Sequence, residues 1–183
     1  MAWEDASVLV KLKDDTLPRQ YLEALGRELV QTILKRTAKG IDRYGNRFEP
    51  YSKAYKNSDD FQLTGKSSSN VNLTLSGDML ADLSVISARK GRIIIGFEDE
   101  QQRAKAHGHV TGKDGSGDLP VRDFLGISQE ELASAIRKVP QPKKLKEAFE
   151  EAKESLLDDE DDDFDLFDII EFSELVALES EIL

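Results

Sequence analysis

The first apolar pattern in the chain is an alternation. In "ASVLVKLKDD", Val8, Val10 and Leu12 fall on one side and Ser7, Leu9, Lys11 and Lys13 on the other, the two-residue period of a half-buried strand. The period then lengthens. In "TLPRQYLEALGRELVQTILKRTAKG", Leu22, Leu25, Leu29 and Ile33 recur at helical spacing, flanked by Val30 and Leu34, which predicts a helix with one apolar face. Thr16 is placed to cap this helix, Pro18 suits its first turn and Gly40 its end. Residues 41–72 show no period and read as a long irregular segment, an extended loop or arm. "LTLSGDMLADL" predicts a short helix with Ser76 as N-cap and Asp78 in its first turn. "SVISARKGRIIIGF" reads as two strands folded about "RKG". "EDEQQRAKAHG" predicts a short helix ended by Gly108, followed by a glycine-rich loop and an extended "LPVRDF" opening at Pro120. In "ISQEELASAIRKV", Ser128 and Glu131 form a capping box ahead of Leu132 and Ile136, and "PQP" stops the helix. These elements predict an α+β domain, with one long helix and shorter ones on a small antiparallel sheet built from 6–13, 84–90, 92–97 and 119–124.

The pattern changes near residue 140, which divides the chain into a body, 1–139, and a C-terminal extension, 140–183. "KKLKEAFEEAKESLL" carries a thin apolar stripe (Leu145, Phe149, Leu156), "DDEDDDFD" is an acidic run, and the last stretch interleaves acids with large apolar residues. Charge divides the same way. Residues 1–149 carry 24 basic and 21 acidic side chains, a net of +3, whereas 150–183 carry one basic and 15 acidic, a net of −14. The overall −11 therefore describes neither part. The body has no basic stripe and the extension would repel phosphate, so specific nucleic-acid binding is not indicated. The chain has no cysteine, which removes disulfides, thiolate nucleophiles and Cys-ligated zinc. No apolar run approaches the ~20 residues that span a bilayer, and "MAWEDASVLVKLKDD" does not read as a secretory signal.

Candidate chemistry was sought in three places. "GIDRYGNRFEPYSKAYKNS" fails as a calcium loop, because Asp42 is followed by Arg43 and Tyr44 and the basic Arg47 sits inside, so the alternating acidic oxygens are missing. It reads instead as a tight turn at "YGN" followed by an aromatic arm, with Tyr44, Phe48, Tyr51 and Tyr55 anchored either on the body or on a neighbouring protein. His107 and His109, the two histidines of the chain, have no evident further ligands nearby, and no "GxSxG" supplies a nucleophile. "GHVTGKDGSG" departs from a phosphate loop in both glycine spacing and the residue after its lysine. No catalytic residue, metal or cofactor is therefore expected. The acidic extension reads as a solvated tail, as a segment that orders on a partner, or as a DNA mimic. In the second case Phe164, Phe167, Ile170, Phe172 and Leu175 are its candidate contacts.

Four stretches, "RTAKGIDRYGNRFEPYSKAY", "LTLSGDML", "IIIGFEDEQQRAKAHGHVTG" and "LPVRDFLGIS", resemble in order and spacing the phage virion morphogenesis family, the Mu-like tail completion proteins. The matching positions are Arg36 and Thr37; Gly40, Asp42, Gly45, Phe48, Pro50, Tyr51 and Ser52; Ile95 and Gly96; Ala106, His107 and Gly108; and Pro120, Arg122, Phe124, Leu125 and Gly126. The resemblance covers roughly residues 15–137. The segment from Asn57 to Leu73 is variable in such proteins, and the extension lies outside the pattern. The resemblance implies a non-enzymatic virion protein, assembled in the host cytoplasm, that completes the tail and joins it to the head at the neck. It implies a homo-oligomeric ring, contacts with other neck, tail and connector proteins, genome DNA passing nearby, and no membrane partner. The alternative is a phage-encoded acidic regulator that binds a DNA-handling protein through its extension. A metal-dependent enzyme using His107 and His109 is the weaker rival.

Overall fold

The computed structural model describes residues 6–63, 71–74, 76–114, 117–143, 145–147 and 181–182. In chain order these form β1 (Val8–Lys11), α1 (Arg19–Ala38), α2 (Lys53–Lys56), α3 (Asp59–Leu63), α4 (Asp78–Asp82), β2 (Leu83–Arg89), β3 (Arg92–Phe97), α5 (Glu100–Thr111), β4 (Lys113–Asp114), β5 (Gly117–Asp118), α6 (Gln129–Lys138) and β6 (Glu181–Ile182). The fold is α+β. β2, β3 and β1 form an antiparallel sheet in that spatial order, and the two residues of β6 add to the open edge of β1. β4 and β5 make a separate minimal hairpin.

The turn between β2 and β3 is Lys90–Gly91, both at positive φ (49° and 66°), the two-residue turn whose twist suits a hairpin. A register shift between Val85 and Ser87 leaves Ile86 44% exposed on β2. In β1 the alternation understates burial, because Leu9 is closed off as well as Val8 and Val10.

The long helix lies across this sheet. Leu22, Leu25, Leu29 and Ile33 of α1 are fully buried, as are Ile93 and Ile95 of β3. The two layers approach so closely at Gly26 that a Cβ there would lie 2.8 Å from Val85 Cγ2 and 3.0 Å from Ile93 Cγ2. On its other side α1 meets α6 through the apolar face of Leu132, Ala135 and Ile136. The expected capping box of α6 is present, with Ser128 Oγ accepting from the Glu131 N–H at 3.1 Å and Glu131 Oε2 accepting from the Ser128 N–H at 3.0 Å.

Several boundaries differ from the expected ones. The N-cap position of α1 is Pro18, not Thr16; Thr16 is drawn back by Asp14, whose Oδ1 accepts from its N–H at 2.8 Å and its hydroxyl at 2.6 Å. The N-cap of α4 is Gly77 at φ 94°, one residue past Ser76. α5 runs through Gly108 to Thr111 and stops at Gly112 (φ 72°), where the backbone of Leu119 and the side chain of Val121 leave no room for a Cβ. That extra turn explains the largest correction: 119–124 is not a sheet strand. The exposed carbonyls at the end of α5 capture it instead, with the Leu119 N–H donating to Gly112 O and the Arg122 N–H to His109 O, each at 2.7 Å. Packing also continues beyond residue 139, since Leu145 lies against the core.

Tyr21 on α1 is buried, and its hydroxyl has no hydrogen-bond partner among the described residues. Burial pushes its pKa from 10.0 up to about 12. The unfolded chain therefore loses this proton first, and the stabilisation present below about pH 10 is lost as pH rises toward 12. Tyr21→Phe should change stability at pH 7 by less than about 1 kcal/mol and should flatten the loss between pH 10 and 11.5, as read by urea denaturation at each pH.

Candidate functional site

Residues 119–127, "LPVRDFLGI", form an irregular strap through the middle of the body. Phe124, Leu125 and Ile127 are buried. A buried segment outside any ladder must still pair its backbone polar groups, and arginine side chains supply much of that pairing. Arg36, near the end of α1, donates through Nη2 to Phe124 O at 2.8 Å and Gly126 O at 3.0 Å. Its Nη1 meets both carboxylate oxygens of Glu131, at 2.7 and 2.6 Å. Arg43 binds the strap from the other side. Its N–H donates to Asp123 O at 2.9 Å, and its Nε lies 2.9 Å from Asp123 Oδ2. The Arg43 side chain crosses Gly126 (φ 138°) so closely that a Cβ there would lie 2.4 Å from its Cδ. Burial raises the Asp123 pKa and outweighs the opposing pull of Arg43.

The loop that carries Arg43 is built by Asp42. Its Oδ1 accepts from the N–H groups of Tyr44 and Asn46 at 2.9 and 2.8 Å, and Gly45 takes φ 86°. The carboxylate that a calcium loop would offer is thus committed to the turn. Beyond it the chain folds inward. Phe48 and Tyr51 are buried in the chain's own core, so of the two anchorages expected for them they take the one on the body. The half-buried Tyr55 joins Tyr51 and Phe61 in a three-ring cluster with centroids 5.2–5.5 Å apart. The apolar residues of the arm therefore gain more by covering one another than by pointing outward. Tyr44 alone of the four proposed rings is strongly exposed, at 66%; the Arg43 guanidinium lies over it at 4.7 Å and also donates to its hydroxyl. Phe164, Phe167, Ile170, Phe172 and Leu175 lie outside the described residues.

Behind the ring cluster is a recess of about 320 Å³. Its apolar walls come from Tyr51, Tyr55, Leu73, Met79, Leu119 and Pro120. Its polar groups are Ser52, Ser76, Lys105, His109 and Arg122, and no carboxylate lines it among the described residues. Leu73, at φ 55°, holds a conformation that side chains disfavour. Arg122 is 5% exposed. Its Nη2 donates to Glu49 O at 3.3 Å and its guanidinium lies 5.4 Å from the Tyr51 ring centroid, while its Nε is buried without a hydrogen-bond partner. Burial lowers its pKa despite the upward pull of Tyr51, Glu49 and Tyr55. An arginine nevertheless stays charged at neutral pH.

The two histidines are two residues apart on α5, which turns them away from a common point on a helix. His109 faces the recess. Among the described residues no group of three or more His, Asp and Glu side chains could hold a metal ion. Sequence reading missed Arg122, Lys105 and His109 as a cluster, because they converge only when the strap crosses α5. The available signal was the adjacent pair of charges, Arg122 and Asp123, inside the otherwise apolar run "LPVRDFLGI".

No family model, curated protein or solved structure matches the chain.

Arg36→Lys keeps the charge but loses the planar arrangement that reaches Glu131 and two carbonyls together. It should lower stability by on the order of 3 kcal/mol. Glu131→Gln should cost less, because the bonds to Phe124 O and Gly126 O remain. Urea unfolding of the two variants beside the parent chain checks the order.

Proposed function

We propose that the chain is a structural component of a tailed-phage virion that acts in tail completion and head–tail joining at the neck. The observation that carries this is the convergence of the stretches that resemble tail completion proteins. Arg36 follows the apolar face of α1, Asp42 and Gly45 shape the next loop, and Arg122, Phe124 and Gly126 lie some 90 positions further along. In space they form one framework: Arg36 on the strap, Arg43 on Asp123, and Tyr51 beside Arg122. These residues hold backbone and fill core. Such a framework suits a protein whose business is a stable shape presented to neighbours.

Surfaces fitted to neighbours are available. Among the described residues no strand pairs with the outer edge of β2, and Ile86 on that strand is exposed beside a groove between β2 and α1 lined by Val30, Leu83 and Val85. An unpaired edge is a template for another chain, which fits a homo-oligomeric ring. Leu63, Val121 and Tyr44 add exposed apolar surface. The extension adds negative charge for basic surfaces of neck, tail or connector proteins, or, facing the channel, would repel the passing duplex. No described helix is long and apolar enough to cross a membrane.

The acidic regulator is the second reading, and the −14 carried by residues 150–183 is the observation that favours it. Mass spectrometry of purified particles separates the two. The neck proposal expects the chain in virions at a fixed copy number, and its confinement to infected-cell lysate would sink it. Deletion of 158–183 should reduce the yield of joined heads and tails; unchanged joining would remove the extension from assembly.

A further inference from the structure

The recess beside Arg122 pairs two features that seldom occur together without a ligand. It has apolar walls, and it has a buried arginine, Arg122, that forms no ion pair with a carboxylate among the described residues. The backbone carbonyl of Glu49, the ring of Tyr51 and the Glu49 carboxylate, which attracts the guanidinium without forming an ion pair, offset its burial only in part. Lys105 at the rim adds a second positive charge. A fitting ligand therefore presents a carboxylate next to a bulky apolar group.

The chain contains such a ligand. Residues 161–172, "DDDFDLFDIIEF", set Phe164, Phe167 and Phe172 among Asp163, Asp165, Asp168 and Glu171. The described body ends at Glu147, and the chain returns at β6, where Glu181 and Ile182 pair with Leu9 and Val8. The stretch is thus tethered to the body at both ends, which raises its effective concentration at the body surface. The 13 residues between Glu147 and residue 161 let the chain reach at most about 50 Å when extended, more than the diameter of a domain of this size.

We propose that the Arg122 recess is the docking site for the chain's own 161–172 stretch, one carboxylate pairing with Arg122 and one phenylalanine ring entering between Tyr55 and Met79. The pairing joins the −14 extension to the near-neutral body and gives the buried cation its counter-charge. It stands independently of the virion reading.

The test uses the full chain with benzoylphenylalanine in place of Phe167. Irradiation should cross-link it within one chain to Met79, Tyr55 or Leu119, as mapped by mass spectrometry on a mixture of isotope-labelled and unlabelled protein. Lys105→Glu, an exposed rim change, should reduce the yield about fivefold, with circular dichroism reporting an intact fold. Arg122→Gln should abolish the cross-link if the variant folds; if it does not, Lys105→Glu carries the decision. Cross-links confined to other surfaces, cross-links only between labelled and unlabelled copies, or a yield insensitive to Lys105→Glu would each overturn the assignment.

Discussion

One guanidinium holds the body together at its least regular point. Arg36 stands near the end of the helix that carries most of the core, and from there it binds the strap's carbonyls and the capping glutamate of the next helix. Without it, the carbonyls of Phe124 and Gly126 would sit in the interior unpaired, each costing about 1–3 kcal/mol. The strap has no sheet to join, because α5 overruns Gly108 and presents helix-end carbonyls where a strand edge would have been needed. Irregular backbone can lie in the core here only because side chains take over the pairing that a ladder would have supplied.

Glu131 shows how local and long-range demands meet in one group. Its carboxylate closes the capping box of α6 and also receives Arg36. A signal visible in four residues thus fixes the start of a helix and, through the same oxygens, the position of a helix that ends nearly a hundred residues earlier. Asp42 behaves similarly: it shapes its own turn, and that turn aims Arg43 at Asp123. Local turn chemistry places the arginines, and the arginines place the strap.

Arg36 and Arg122 make an instructive contrast. Both cations serve the same strap, the partly buried Arg36 from α1 and the buried Arg122 from within the strap itself. Arg36 has a carboxylate and two carbonyls. Arg122 has one long bond to a carbonyl, a ring, and the pull of the Glu49 carboxylate without an ion pair. The first is explained by the architecture. The second is more than the architecture requires, and that excess is why the recess around it reads as a place for an acidic group.

What could be read from the sequence was what depends on near neighbours. The stripe of Leu22, Leu25, Leu29 and Ile33 specified α1 and its buried face, "RKG" specified the hairpin, and Ser128 with Glu131 specified the start of α6. Each rests on contacts within a turn or two, so spacing alone reveals it. The ends of α1, α4 and α5 moved because caps depend on competitors such as Asp14 and on the close approach of 119–121 to Gly112. The arm was legible as aromatic, but not the side its rings would face: Phe48 and Tyr51 turn inward because the body offers them a core, and that core exists only after the helices, the strap and the sheet have assembled. The grouping of Arg122, Lys105 and His109 belongs to the same class. Lys105 and His109 stand four apart on one face of α5, but no sequence interval relates them to Arg122, and the crossing of one segment over one helix end decided it.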